Sequence, residues 1–184
     1  MELKHALVIG GTGMLAKVPL WLLDHNYHVS IIARNRQKMG SLLRKVSDQS
    51  RVTPMLVDYM KDEALKKEIE KQILKAGPVD LVVAWIHSDA GHALPVVSDV
   101  ISRSSRHWEL YHVLGSSQNL DQILREFPVK ENCSYHQIQL GFVMKNNHSR
   151  WLTHEEISNG VIEAIREQKK RHIVGQIEPW DKRP

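Results

Sequence analysis

The residues best suited to chemistry stand near the start of the chain, where Gly10-Gly11-Thr12-Gly13 follows an apolar run at residues 6–9. Gly11 and Gly13 match the first two glycines of the G-x-G-x-x-G/A pattern, and Ala16 takes the third position. In that pattern the first glycine makes a tight turn and the second leaves room for a pyrophosphate. The third small residue lets the next helix pack on the strand, with unpaired N–H groups at its N-terminus facing the anion.

A turn so rich in glycine has two interpretations. It is either a plain turn or a cradle for the diphosphate of a dinucleotide, and the motif alone does not separate them. The cradle predicts phosphate contacts from one continuous segment, namely Gly10, Gly11, Thr12, Gly13, Met14 and Leu15. No Walker lysine follows the glycines, which argues against ATP.

The residues after the next apolar run indicate which dinucleotide would bind. In NAD-binding folds, an acid about 20 residues past the glycines binds the ribose 2′-hydroxyl. Here Ala33 stands at that distance, no acid lies nearby, and Arg34 and Arg36 follow at once. Guanidinium groups would pair with a 2′-phosphate, although the same arginines could simply solubilise a helix start. We therefore predict NADP(H) in preference to NAD(H), held at this end by Arg34, Asn35 and Arg36.

The composition indicates a single globular domain over residues 1–184, with 42% hydrophobic and 25% charged residues. No apolar run approaches the ~20 residues of a membrane span, and no signal peptide is evident, so no membrane partner is expected. One cysteine excludes an internal disulfide and suits a cytoplasmic location. The net charge of +4 comes without a basic stripe, so no nucleic-acid partner is expected. The eleven histidines lack metal-ligand spacing, and no metal site is predicted.

Short apolar runs alternate with segments of helical period, which is typical of βαβ units. The predicted strands cover residues 6–9, 28–33, 52–57, 79–86, 108–114, 135–143 and 172–174. The predicted helices cover residues 13–25, 36–46, 62–76, 93–102 and 120–127, and a Thr153/Glu156 capping box opens a last helix. Pro19 is expected to kink or delay the first helix. The fold class is α/β, a single Rossmann-like, doubly wound parallel sheet in order 3-2-1-4-5-6-7 with helices on both faces. Its crevice would lie at the carboxyl ends of the first and fourth strands.

Over most of its length the chain resembles the short-chain dehydrogenase/reductase superfamily. The turn Gly10-Gly11-Thr12-Gly13 is similar to the family's GGTGxxG turn, and Arg34 stands where NADP-preferring members keep an arginine. The resemblance implies that Asp58, after the third strand, contacts the adenine amino group. It also implies that Ser116 or Ser117, after the fifth strand, takes the place of the catalytic serine.

The chain departs from this family where catalysis normally takes place. The family's Tyr-x-x-x-Lys pair is absent, because the residues four positions beyond the four tyrosines are Ile31, Glu63, Gly115 and Gln139. Reduction of a carbonyl needs a proton donor, so another acid must serve. The candidates by residue type are His87, His112, Tyr111 and Tyr135.

Three of the candidate residues have alternative roles. His87 is the best placed of the acids, just past the fourth strand, but a solvated loop histidine is the more common role for a residue of this kind. Tyr135 is expected to pack at a strand start. Ser116 would orient a carbonyl or cap the following helix.

These observations predict an NADP(H)-binding, short-chain dehydrogenase/reductase-like oxidoreductase for a small carbonyl or alcohol, with Ser116 and His87 as candidate catalytic residues. The alternative is a dinucleotide-binding redox sensor or regulator without catalysis, which the missing Tyr-x-x-x-Lys pair favours. The expected partner is a small-molecule substrate. Family members often dimerise through their fourth and fifth helices, so the resemblance leaves a homodimer open.

Overall fold

The apolar runs form strands of a parallel sheet, as the computed structural model of residues 3–184 shows. The strands in chain order are β1 (Lys4–Ile9), β2 (Tyr27–Ala33), β3 (Val52–Leu56), β4 (Leu81–Trp85), β5 (Trp108–Leu114), β6 (Cys133–Leu140), β7 (Phe142–Lys145), β8 (His148–Trp151) and β9 (Arg171–Val174). The helices are α1 (Lys17–Asp24), α2 (Arg36–Leu43), α3 (Asp62–Ala76), α4 (Ala93–Ser104), α5 (Leu120–Glu126) and α6 (His154–Arg166).

The seven parallel strands lie in the order β3-β2-β1-β4-β5-β6-β9, which confirms the predicted topology. The last of them is the ninth strand in the chain because the antiparallel hairpin β7–β8 comes before it. This hairpin was not predicted from the sequence, in which the sixth strand was expected to continue to residue 143. Asn146 and Asn147, with φ of 51° and 61°, make its two-residue turn, a pairing of residue types that suits such hairpins.

Both faces of the sheet are covered, so its central strands alternate between two cores rather than between core and water. In β4, Leu81 and Val83 face the core shared with α1, α2 and α6, whereas Val82 and Ala84 face the core shared with α3 and α4. This placement leaves the carboxyl ends of the strands as the edge where loops can form a site.

Helix α1 begins at Lys17, four residues later than predicted, and residues 11–16 form consecutive turns instead. Pro19 therefore lies in the first helical turn, where its missing N–H deprives the helix of no hydrogen bond. Its ring packs towards the glycine turn, since a Cβ on Gly11 would lie 3.2 Å from Pro19 Cγ. The expected delay of this helix is confirmed, and the delay lengthens the turn that precedes it.

Local sequence patterns predicted several other elements correctly or within a few residues. Helix α3 and strand β5 have the predicted bounds, and the Thr153/Glu156 capping box opens α6. Helix α2 ends at Leu43 rather than at residue 46, and α4 continues to Ser104 rather than to residue 102.

A buried histidine, His5, and a half-buried one, His28, lie at the amino ends of β1 and β2, away from the loop edge. His5 Nε2 lies 2.8 Å from Ser30 Oγ and its Nδ1 lies 2.9 Å from the Gly77 carbonyl oxygen. His28 Nε2 lies 2.9 Å from Thr53 Oγ1. Burial lowers the pKa of His5 and of His28 below the usual 6.5, so both rings are neutral at pH 7.

We expect the free energy of unfolding to fall as the pH is lowered from 7 towards 5. Below pH ~6.5 the unfolded chain binds protons that the folded chain does not, so each such histidine lowers stability by up to about 1.4 kcal/mol per pH unit. Paired carboxyl groups change the stability only at lower pH, because the Arg150 guanidinium lowers the pKa of Glu156 from 4.5 to about 2. Denaturant unfolding at pH 7, 6 and 5 measures the slope.

A matched pair of variants tests whether these histidines cause the dependence of stability on pH. His28→Gln should flatten it, whereas the exposed His148, changed to glutamine, should leave it as in the unmodified chain. A stability that does not change between pH 7 and 5 would contradict the assignment of neutral rings to His5 and His28.

Candidate functional site

The glycine turn joins β1 to α1 at the carboxyl edge of the sheet. Gly10 has φ of +83°, and a Cβ there would lie 2.9 Å from the Trp85 carbonyl oxygen. The tight turn therefore requires glycine at the position of Gly10, a role that the sequence pattern assigned to Gly11. A Cβ on Gly11 would instead lie 2.8 Å from Val8 Cγ1, so Gly11 serves close packing beneath the turn. The pattern therefore placed the tight-turn role one residue late.

Gly13 lies on the open side of this turn. No heavy atom would come within 4 Å of a Cβ built on it, so its face is clear for a ligand. The backbone N–H groups of residues 11–15 make no well-formed hydrogen bond to the described part of the chain. Helix α1 also begins without a side-chain cap or an acidic residue in its first turn. These unpaired donors and the helix dipole make the turn suited to an anion.

The side chains of the turn differ in what they can contact. Leu15 is fully buried in the core, so it can meet a ligand through its backbone alone. The Met14 carbonyl oxygen accepts a hydrogen bond from Ser158 Oγ at 2.7 Å, and Ser158 Oγ in turn accepts from the Lys17 N–H at 3.4 Å. Ser158, on α6, therefore fixes the turn from 144 residues away. Nothing in the local sequence around Ser158 indicated this role.

The predicted 2′-phosphate residues lie at the end of β2. Arg34 and Arg36 are exposed, and neither makes an ion pair or a hydrogen bond with the residues described. The Arg34 guanidinium carbon lies 5.5 Å from the centre of the Tyr59 ring. The ring therefore supports the guanidinium group without neutralising its charge. Asn35 is already engaged, because its Oδ1 accepts from the Lys38 N–H at 2.9 Å and caps α2.

Asp58 follows β3 at the same edge of the sheet and is partly exposed. Its Oδ1 accepts a hydrogen bond from the Met60 N–H at 3.1 Å, which holds the carboxylate in a tight turn. The neighbouring Tyr59 is buried beneath Arg34. Asp58 and Arg34 therefore come from adjacent turns on one side of the sheet, as a site for an adenosine group requires.

A second concave region, which we call the β4–β5 cavity, opens between the ends of β4 and β5 under α4 and α5 and has a volume of about 410 Å³. His87 and Gly115 line it, but Ser116 does not. The Ser116 carbonyl oxygen accepts from Gln139 Nε2 at 3.2 Å. The helix-cap role considered for Ser116 is wrong, since Asn119 Oδ1 caps α5 by accepting from the Gln122 N–H at 3.0 Å.

The candidate acids fall on both faces of the sheet. His112 also lines the β4–β5 cavity, and its Nδ1 lies 2.8 Å from the Tyr135 hydroxyl oxygen. Burial lowers the pKa of His112 to about 4 and raises that of Tyr135 to about 12. Tyr111 faces the opposite core, stacked on the His136 ring with centroids 4.3 Å apart. The structure thus brings His87 and His112 to one cavity and removes Tyr111 from it.

Neither a metal-binding group nor a membrane-spanning helix is found in residues 3–184. Within residues 3–184 no group of three histidine, cysteine, aspartate or glutamate side chains could hold a metal ion. The helices of that same segment are all too short or too polar to span a bilayer.

Comparison with known proteins gives a match in structure but not in sequence. No protein-family model matches the chain, and no curated protein matches it at a significant level. A variant of a short-chain dehydrogenase/reductase from Serratia marcescens superimposes with a TM-score of 0.71 at 13% identity, over 94% of this chain and 96% of that one. A short-chain dehydrogenase/reductase from Brucella melitensis, described as a glucose/ribitol dehydrogenase, has a TM-score of 0.68 at 10% identity, over 94% and 95%.

A third solved structure carries a ligand. It is a metagenomic short-chain oxidoreductase in complex with NADP, with a TM-score of 0.67 at 11% identity, over 94% of this chain and 95% of that one. These matches extend along nearly the whole of each chain. The chain therefore has the Rossmann-like fold of the short-chain dehydrogenases/reductases.

Proposed function

We propose that this chain belongs to the short-chain dehydrogenase/reductase superfamily and binds NADP(H) at the carboxyl edge of its sheet. The observation that carries the proposal is the open glycine turn, with unpaired N–H groups at residues 11–15 and a clear face at Gly13. Such a turn, at the start of a helix in a parallel sheet, suits a pyrophosphate. The structural similarity to an oxidoreductase in complex with NADP supports the same assignment.

The preference for NADP(H) over NAD(H) rests on charge. Arg34 and Arg36 lie exposed and without a carboxylate partner among the described residues, at the end of the strand next to β1. A 2′-phosphate placed there would gain charge-assisted hydrogen bonds, whereas a ribose 2′-hydroxyl would find no acid at this strand end to bind it. Asp58 would hold the adenine from the neighbouring turn.

Removing the two guanidinium groups tests this assignment. We expect the double variant Arg34→Ala/Arg36→Ala to bind NADPH about 100-fold more weakly, because two charge-assisted hydrogen bonds of about 1.5 kcal/mol each are lost. Its affinity for NADH should change little. Calorimetric titration of both dinucleotides measures the two affinities. Arg106→Ala, which removes an exposed arginine at the opposite edge of the sheet, should bind both as the unmodified chain does.

Equal binding of NADPH and NADH by the unmodified chain would remove the 2′-phosphate assignment. If neither dinucleotide binds, the assignment of a dinucleotide cofactor is contradicted.

The reaction that fits this site is reduction of a small carbonyl compound or oxidation of the corresponding alcohol. The bound nicotinamide supplies or accepts the hydride. The chain must supply substrate binding and a proton donor, and His87 lies at the cavity beside β4 while Ser116 follows β5. Turnover of small aldehydes, ketones and quinones with NADPH, lost in His87→Ala or Ser116→Ala, supports these two residues in catalysis.

The second candidate is a dinucleotide-binding sensor or regulator without catalysis. Two observations favour it: the Tyr-x-x-x-Lys pair is missing from the sequence, and α5, where the family carries that pair, has seven residues. Tight NADPH binding that changes affinity for another protein, with no turnover of any carbonyl tested, would support the sensor. Steady turnover would exclude it.

A further inference from the structure

The β4–β5 cavity has the size and the lining of a site for a small organic molecule. Its volume of about 410 Å³ lies within the range of small-molecule pockets. Its walls are mainly apolar and include Trp85, Leu94, Ile123 and Phe127, which come from β4, α4 and α5 and from the residue after α5. A ligand that fills this space would gain most of its affinity from apolar contact.

The charge of the lining limits what can bind. Among the residues that line the β4–β5 cavity there is no lysine or arginine, and Glu126 is the one carboxylate. Glu126, His87 and Ser88 are exposed, so they lie at the mouth rather than in the interior. An anionic ligand would meet no cation here and one negative charge. The lining therefore favours a neutral molecule, and the dinucleotide phosphates belong at the glycine turn instead.

The ring of His112 is a polar group within this mainly apolar surface. His112 is on β5, with its side chain on the α4 side of the sheet, and its Nδ1 is bonded to the Tyr135 hydroxyl at 2.8 Å. Tyr135 does not line the β4–β5 cavity, whereas His112 does, so the other ring edge of His112 faces the cavity. That edge carries Nε2, which has no partner among the described residues.

The Tyr135 hydroxyl decides which ring nitrogen carries the proton. This buried hydroxyl lies within hydrogen-bond distance of His112 Nδ1, and its O–H is satisfied by donating to that nitrogen. Because burial lowers the pKa of His112 to about 4, the ring is neutral and its single N–H is then on Nε2. In His112 Nε2 the cavity wall thus presents a hydrogen-bond donor of fixed position.

We propose that the β4–β5 cavity binds a small, neutral, largely apolar molecule whose carbonyl oxygen accepts a hydrogen bond from His112 Nε2. As a statement about binding, this goes beyond the proposed dinucleotide function and is independent of it. As a statement about the substrate class, an apolar aldehyde or ketone, it rests on that proposed function.

A cycle of two ligands and two proteins tests the hydrogen bond. The ligands are acetophenone and α-methylstyrene, which have nearly the same shape but differ in having C=O or C=CH₂. The proteins are the unmodified chain and His112→Phe, which keeps the ring and removes the donor. Calorimetry without any dinucleotide gives four dissociation constants. The ratio of ketone to hydrocarbon constants should rise about fivefold in His112→Phe, because one neutral hydrogen bond is lost. Taking the ratio cancels the different hydration of the two ligands.

The control is His148→Phe, which replaces an exposed histidine of β8 outside the β4–β5 cavity and should leave the ratio unchanged. The proposal is overturned if His112→Phe also leaves the ratio unchanged, or if neither ligand binds the unmodified chain up to its solubility. Because no dinucleotide is present, these outcomes do not depend on whether NADPH binds.

A measurement on the unmodified chain keeps the test decisive if His112→Phe does not fold. The ¹⁵N spectrum of the histidine rings reports which nitrogen of His112 is protonated, and Tyr135→Phe assigns the signal. We expect the proton on Nε2, and its resonance should shift on addition of acetophenone. A proton on Nδ1, or a resonance that acetophenone does not move, would overturn the proposal.

Discussion

Replacing Gly13 with valine is expected to weaken NADPH binding about 100-fold while the free energy of unfolding changes by less than about 1 kcal/mol. No heavy atom lies within 4 Å of the position of a Cβ on Gly13, and its φ lies outside the left-handed region. The Cβ of the new side chain therefore meets no protein atom beyond the adjacent residues. It fills the space in front of the unpaired N–H groups, where we place the pyrophosphate.

The separation of binding from stability is what makes this variant informative. Most substitutions that weaken a ligand also disturb the fold, whereas here the open face of Gly13 isolates the effect. Calorimetric titration with NADPH and unfolding in urea give the two quantities. Unchanged affinity in a folded Gly13→Val variant would show that the diphosphate lies elsewhere.

Gly11, two residues earlier, serves as the matched control. A Cβ on Gly11 would lie 2.8 Å from Val8 Cγ1 and 3.3 Å from Ile31 Cγ2. Gly11→Ala should therefore lower the free energy of unfolding by about 1–3 kcal/mol through overpacking beneath the turn. The two glycines thus differ in kind, although the motif treats both as ligand residues.

Among glycine-to-alanine substitutions in this chain, Gly141→Ala should produce the largest loss of stability, about 3 kcal/mol or more, with a fall in Tm of about 10 °C. Gly141 joins β6 to β7. A Cβ there would lie 2.1 Å from the Gln176 carbonyl oxygen and 2.7 Å from its carbon. Both atoms are backbone, so a rotamer change cannot relieve the overlap.

The segment that would have to move is held on both sides. The Phe142 N–H donates to the Gln176 carbonyl oxygen at 2.8 Å, the Gln176 N–H donates back to Phe142 at 2.9 Å, and the Gly141 N–H donates to Val174 at 2.9 Å. Accommodating a methyl group would disrupt these bonds, which connect the end of the sheet to the chain after β9. Thermal unfolding followed by circular dichroism measures the effect.

Gly40→Ala is the control for this substitution. Gly40 lies inside α2, and the nearest atom to a Cβ there would be Arg44 Nη1 at 3.8 Å. Alanine should raise the free energy of unfolding by about 0.5–1 kcal/mol, because it is the better helix former. Equal stability of Gly141→Ala and the unmodified chain would mean that β6 and the residues after β9 are not in the contact described.

The elements that the sequence predicted well are those with local signals. The leucine and isoleucine spacing of α3 and the Gly77-Pro78 pair after it placed that helix at its observed bounds. The hairpin β7–β8 was missed because its strands have four residues each and carry no alternating pattern. The start of α1 was placed too early because the residues after the glycines have helical periodicity, while the observed turns depend on contacts with Trp85 and Ser158.

The candidate site shows the same division. The type and order of Gly10–Gly13, Arg34 and Asp58 were visible in the sequence, and whether they bind a dinucleotide stays a prediction. The pairing of His112 with Tyr135 was not visible, although both residues were considered separately as acids. Their side chains meet because β5 and β6 are parallel neighbours and both residues face the α4 side of the sheet.

By itself, the sequence determined the parallel sheet, its strand order and the glycine turn, because apolar runs, turn residues and helix caps act within a few positions and crossover handedness leaves few arrangements. Only the tertiary structure decided that Gly10 takes the left-handed φ, that Gly13 is open and that His112 reaches a cavity. These features depend on atoms brought together from distant segments, and a local pattern carries no information about the space between them.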